Sequence, residues 1–257
     1  MGRNVAKVKS LSGKTYIAEL WHNAGGNYSC LVDTLYSKVC NTELSSEPTL
    51  WFRIAVRIAL VFAVLSSSDT QEEFPKTQNF DLCVSAVDDL SMAAAAFYAR
   101  KMGLPINNIV CVCQENSAVW EFLYRGICQR KAVLPDGFEC LVDAVLGCDG
   151  LCAYLQCKAG EGSTVLPEDV LADLQNNVFV SAVGQQRINA VTVGTYRTNR
   201  YVFTTEAAMT FGGLQDYRAS TGESRSAIIM MDTSPLDEVT HITDVLGITK
   251  KELFELI

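Results

Sequence analysis

Residues 80–113 read FDLCVSAVDDLSMAAAAFYARKMGLPINNIVCVC, and this stretch decides the fold class. Residues 80–87 form a short apolar run bounded by polar residues, the length of a buried strand rather than a helix. Residues 90–102 are alanine-rich and stop at Gly103, with Pro105 just beyond, which are the marks of a helix and its end. Residues 109–113 are again strand-like. Strand, helix, strand is the unit of a parallel sheet covered by helices, so the chain is expected to be α/β, three-layered, with a mostly parallel sheet between helices.

The flanking sequence extends this pattern. Residues 5–20 alternate as a strand pair with a turn at Ser12-Gly13-Lys14. Gly25-Gly26 opens a predicted helix over residues 27–40, in which Leu31, Leu35 and Val39 recur at four-residue spacing. Pro48 suits the first turn of a second helix running to about Leu65. Its apolar run, residues 54–65, is too short to cross a bilayer and contains Arg57, so it is read as a buried amphipathic helix. Beyond the central unit, residues 117–124, 138–157, 167–180, 205–217 and 236–246 are read as helices, residues 160–164 as a loop and residues 226–231 as a buried strand. Thr249 and Glu252 have the spacing of a capping box at the head of a last helix. One domain over residues 1–257 is expected.

Composition narrows the function classes. With 49% hydrophobic residues the chain can bury a substantial core, and disorder is excluded. A net charge of -8, from 21 Lys and Arg against 29 Asp and Glu, offers no basic stripe for nucleic acid. With neither a membrane span nor a secretory signal in the pattern, a cytoplasmic location is expected. Ten cysteines include no C-x-x-C pair, and the two histidines, His22 and His241, lie far from them. Buried free thiols are therefore expected, with no metal site.

Three stretches, in order, resemble threonine synthase, a pyridoxal-phosphate enzyme. Residues 96–105, A-F-Y-A-R-K-M-G-L-P, resemble that family's G-Y-Y-A-K-K-M-G-L-P and run into Gln114-Glu115-Asn116, similar to its N-E-N. Residues 47–61, with Trp51, Arg53 and Ile54, resemble its N-S-I-N-W-A-R-I helix. Glu19-Leu20-Trp21-His22 resembles the start of its E-L-F-H-G-P-T-L-A-F-K-D segment. A weaker likeness joins residues 227–235, ending Thr233-Ser234-Pro235, to the family's strand near the pyridine ring. Together these touch about two thirds of the chain. The resemblance implies the family's large-domain sheet, with the small mobile domain deleted between residues 29 and 47.

The same comparison marks departures. Counted without a gap, the Schiff-base lysine falls on Ser29, whose hydroxyl cannot form an imine, and Cys30 stands where the family has Asp. The glycine-rich phosphate loop falls on Asp88, Asp89, Leu90, Ser91 and Met92, where side chains and two carboxylates replace the glycines that admit an anion. Taken alone, Asp88 and Asp89 suit a helix N-cap, Trp51 and Arg53 a core and an ion pair, and Thr233-Ser234-Pro235 a strand-to-helix turn.

The resemblance thus implies a threonine synthase-like protein without catalytic residues or bound pyridoxal phosphate, with His22, Asn116, Thr233 and Ser234 as candidate pocket residues. Its partner is expected to be another protein or a second copy in a homodimer. Two alternatives stay open. One is a pyridoxal-phosphate lyase acting on an amino acid such as O-phosphohomoserine, with Lys101 or Lys131 supplying the amine. The other is a non-catalytic sensor of a phosphorylated amino acid.

Overall fold

The computed structural model describes residues 7–20, 46–66, 79–160 and 162–257. In chain order the strands are β1 (Lys7–Ser12), β2 (Thr15–Glu19), β3 (Phe80–Ser85), β4 (Ile106–Gln114), β5 (Ile127–Gln129), β6 (Ser163–Val165), β7 (Phe179–Val183) and β8 (Ala227–Met231). The α-helices are α1 (Ser46–Ser66), α2 (Ser91–Lys101), α3 (Ala118–Arg125), α4 (Phe138–Ala159), α5 (Glu168–Asn177), α6 (Gln185–Asn199), α7 (Thr205–Thr221), α8 (Val239–Leu246) and α9 (Lys250–Leu256). A 3-10 turn, Pro235–Glu238, precedes α8.

Six strands form one sheet in the order β1-β2-β8-β3-β4-β7, parallel except for β1. The β1–β2 hairpin closes through Gly13 and Lys14, both at positive φ, the conformation whose twist matches the flanking strands. The central strands are buried on both faces, and their side chains alternate between two cores. Leu82, Val84, Cys111, Cys113, Ile228 and Met230 face α1 to α5, whereas Cys83, Val110, Val112, Ile229 and Met231 face α6 and α7. This is the predicted α/β sandwich.

Small residues let the helices come close. Ala93 to Ala96 are fully buried where α2 lies between α1 and α4, and a Cβ on Gly213 of α7 would stand 2.4 Å from Cγ2 of Val112. That glycine is what seats α7 against β4.

The structure corrects several boundaries. Residues 167–180 are not one helix: α5 ends at Asn177 and the chain turns into edge strand β7. Residues 185–199, without a clear apolar period, form α6 because Ile188, Val191, Thr192 and Thr195 pack inward. Residues 160–164 are not wholly loop, since β6 pairs with β5 in a small antiparallel sheet. Residues 236–246 divide into the 3-10 turn and α8. Trp51 is not a core residue but half-exposed, while Arg53 makes its ion pair, 3.4 Å from Asp136. Eight cysteines are described and free; five are buried and Cys157 partly so, but Cys148 and Cys152 lie exposed on α4. The expected helix over residues 27–40 lies outside the described residues. Among the described residues no helix is long and apolar enough to cross a membrane.

Candidate functional site

In an open parallel sheet, side chains converge outside the carboxyl ends of the strands. Here β3 ends at Ser85 and runs through Asp88 and Asp89 into α2, and β8 ends at Met231 and runs through Asp232 and Thr233 into the 3-10 turn. Arg57 reaches the same place from α1. It is 5% exposed, and a guanidinium that deep must be paired. Its Nη1 lies 2.7 Å from Asp89 Oδ2 and also donates to the Ser91 hydroxyl, while Nη2 lies 3.0 Å from Asp232 Oδ2. Burial alone would lower its proton affinity, but the two carboxylates outweigh that and hold it above the ordinary arginine value.

Asp89 has a second task. Its Oδ1 accepts the Ser91 backbone N–H at 2.8 Å and the Ser91 hydroxyl at 2.6 Å, satisfying free donors at the head of α2 as an N-terminal carboxylate should. The Leu90 N–H donates to the carbonyl of Asp136 at 2.8 Å. Gly137, at φ +80, brings its backbone so near that a Cβ there would sit 2.8 Å from the Ser91 nitrogen. The first two amides at the mouth of α2 are therefore taken by the chain's own groups.

Beside this network lies a cavity of about 100 Å³ lined by Arg57, Ser85, Asp88, Asp89, Glu206 and Asp232, with Met92, Met230 and Thr233 completing the wall. Glu206 comes from the first turn of α7. Its carboxyl is pushed up to about 7, first by burial and then by Asp232, with Asp88 and Glu238 adding to the effect. The Ser85 hydroxyl, shielded from solvent, offsets part of that rise through its hydrogen bond to Glu206. Four carboxyl groups thus face one guanidinium.

Of the residues singled out from sequence, Asp88, Asp89, Met92 and Thr233 line this cavity. Leu90 and Ser91 are buried behind it. The Thr233 hydroxyl donates to that of Thr204 at 3.1 Å, and Ser234 caps the 3-10 turn in a capping box, its hydroxyl accepting from the Leu236 N–H and its own N–H donating to the Asp237 carboxylate. Asn116 adopts a left-handed conformation (φ 60) after β4 and is not part of the lining. Lys101, at the far end of α2, and Lys131, on the turn after β5, are exposed and do not line it either. His22 and Ser29 lie outside the described residues. Sequence reasoning missed Glu206 and Asp232 and did not place Arg57. A charge within the apolar run of residues 54–65 signals a buried partner, and Asp232 directly follows a fully apolar strand, but Glu206 carries no signal beyond that of an ordinary first-turn acid.

The described residues do not fit pyridoxal phosphate, the cofactor that the resemblance implies. A phosphate at a helix N-terminus needs free backbone amides and a positive or neutral surround. Here the Leu90 and Ser91 amides are already bonded within the chain, and carboxylates occupy the approach.

No family model and no curated protein sequence matches the chain. Solved structures do. Threonine synthase from yeast aligns with 77% of this chain and 43% of its own, at 16% identity and a TM-score of 0.63. The PLP-bound threonine synthase from Brucella melitensis aligns with 90% of this chain and 51% of its own, at 12% identity and a TM-score of 0.63. The Escherichia coli enzyme gives 86%, 47%, 18% identity and 0.53. This chain therefore spans about half the length of the threonine synthases it matches, and over that span it has their α/β fold.

Proposed function

We propose that this chain is a threonine synthase-like protein that neither holds pyridoxal phosphate nor performs its chemistry, and that it acts by binding. The observation that carries this reading is the head of α2, where Asp89 takes the Ser91 amide and Arg57 takes Asp89. The place at which a phosphate would be gripped is filled by an internal ion pair. Ser29, at the position that the sequence resemblance aligns with the Schiff-base lysine, supports it independently. A lyase acting on O-phosphohomoserine and a sensor of a phosphorylated amino acid would each need a seat for a phosphate, and the acid-lined cavity opposes one. The partner on this reading is a protein or a second copy of the chain.

Incubating the purified protein with equimolar pyridoxal phosphate, reducing with borohydride and measuring intact mass tests the proposal. No pyridoxyl adduct is expected above that on a surface-lysine control protein. A stoichiometric adduct on one lysine, Lys101 and Lys131 included, would overturn it.

A further inference from the structure

Most of the described cysteines are spent on packing. Cys83, Cys111 and Cys113 are shut inside the sheet, while the thiols of Cys128 and Cys157 donate to the carbonyls of Gly126 and Val165. Cys148 and Cys152 differ, for both are exposed on α4. A thiol that only fills space is among the most buried of side chains, so packing does not account for this pair. The chain breaks at Gly147 (φ 73, ψ -171) and resumes helical geometry at Cys148, which sets the two thiols one turn apart on one face of the helix. There they share a hydrogen bond. We infer that Cys148 and Cys152 form a two-thiolate site for a soft monovalent cation of the copper(I) class. The inference is independent of the reading that the chain has lost its cofactor.

Geometry and surroundings separate this role from redox chemistry. Residues four apart on a helix hold their Cβ atoms about 5–6 Å apart, whereas a disulfide needs roughly 3.5–4.5 Å. Joining the sulfurs directly would unwind the turn from Cys148 to Cys152, but an ion seated between them closes the gap with the helix intact. A nucleophilic thiolate also needs positive neighbours, and the charged groups that act on Cys148 are the carboxylates of Asp143 and Asp149. A metal ion brings its own positive charge, and those carboxylates favour its approach.

The number of donors fixes the class of ion. Among the described residues no three acids, thiols or imidazoles are grouped to hold a metal, and Asp143 is engaged by the Tyr98 hydroxyl at 2.7 Å. Zinc calls for four ligands in a closed site, and magnesium or calcium for a shell of oxygens. Thiolate softness selects copper(I), and a filled-shell monovalent ion is satisfied by two such ligands. On binding, each thiol gives its proton to solvent and two copper–sulfur bonds form, leaving a complex of charge -1 with no change of oxidation state.

Anaerobic titration of the whole chain into copper(I) bicinchoninate, with ascorbate as reductant, tests the site by loss of the chelator's colour. The parent is expected to withdraw one tightly held equivalent, and zinc offered in the same way should not be held. Cys148→Ser and Cys152→Ser should each weaken that equivalent at least about a hundredfold, because the second thiolate binds as an intramolecular ligand. Both side chains are exposed, so the substitutions leave the fold in place. Cys152→Met, which keeps a soft sulfur, should retain more affinity than Cys152→Ser, an order that a merely structural role would not produce. Cys157→Ser should leave uptake unchanged, and copper(I) should raise the melting temperature of the parent but not of the two serine variants. No uptake by the parent, uptake unchanged in either serine variant, or zinc held as tightly as copper(I) would overturn the site while leaving the absence of cofactor chemistry intact.

Discussion

Replacing Glu206 with Gln should stabilise this protein at alkaline pH and leave it nearly unchanged in acid. The carboxyl has an ordinary value near 4.5 and stands at about 7 in the fold, driven first by burial and then by Asp232. Between those values the folded chain holds a proton that the unfolded chain has released, so stability falls as pH rises from about 4.5 and the loss is complete above about 7. At 1.36 kcal/mol per tenfold change in proton affinity, the full displacement corresponds to about 3 kcal/mol; Glu206 is only partly buried, so roughly 1–3 kcal/mol is expected. Gln cannot ionise and escapes this cost, giving back a few tenths of a kcal/mol through the lost carboxylate at the head of α7. Urea unfolding of both proteins at about pH 5 and about pH 8 measures the difference directly. A variant no more stable than the parent at the higher pH would mean that the acids around Glu206 are relieved by a cation or by water, and the electrostatic account of the cavity would fail.

Arg57→Gln should cost about 2–4 kcal/mol at neutral pH, toward the low end for breaking a buried pair because Asp89 and Asp232 keep about a fifth of their side-chain surface exposed. An Arg57→Gln variant as stable as the parent in urea unfolding at neutral pH would refute the pairing. Gly213→Ala should destabilise by about 1–3 kcal/mol, since its Cβ would meet both methyls of a stiff valine at 2.4 and 2.6 Å. Gly194→Ala, in α6 with nothing within 4 Å, should instead stabilise by about 0.5–1 kcal/mol, and a like sign for the two in thermal unfolding would refute the packing of α7 on β4.

What was legible in the sequence is what short-range periodicity and end chemistry encode. The unit of β3, α2 and β4 announced itself because two largely apolar strands flank an alanine-rich helix ended by Gly103. The capping box of α9 is built as its residues require, with the Thr249 N–H 2.7 Å from Glu252 Oε2 and the Glu252 N–H 3.2 Å from Thr249 Oγ1. Strand β7 was hidden because it is an edge strand one residue after α5, half-buried, so its apolar residues read as the helix continued.

The replacement of a glycine loop by Asp88 and Asp89 is written in the residues themselves, and the sequence alone determined that this corner of the fold is acidic. Only the tertiary structure decided which acids meet there. Arg57 finds Asp89 at a separation of 32 residues and Asp232 at 175, and Glu206 enters from a different helix. Charge identity is a local property of the chain, whereas burial, pairing and the rise of the Glu206 carboxyl depend on distances that exist only once the sheet has brought the ends of β3 and β8 together.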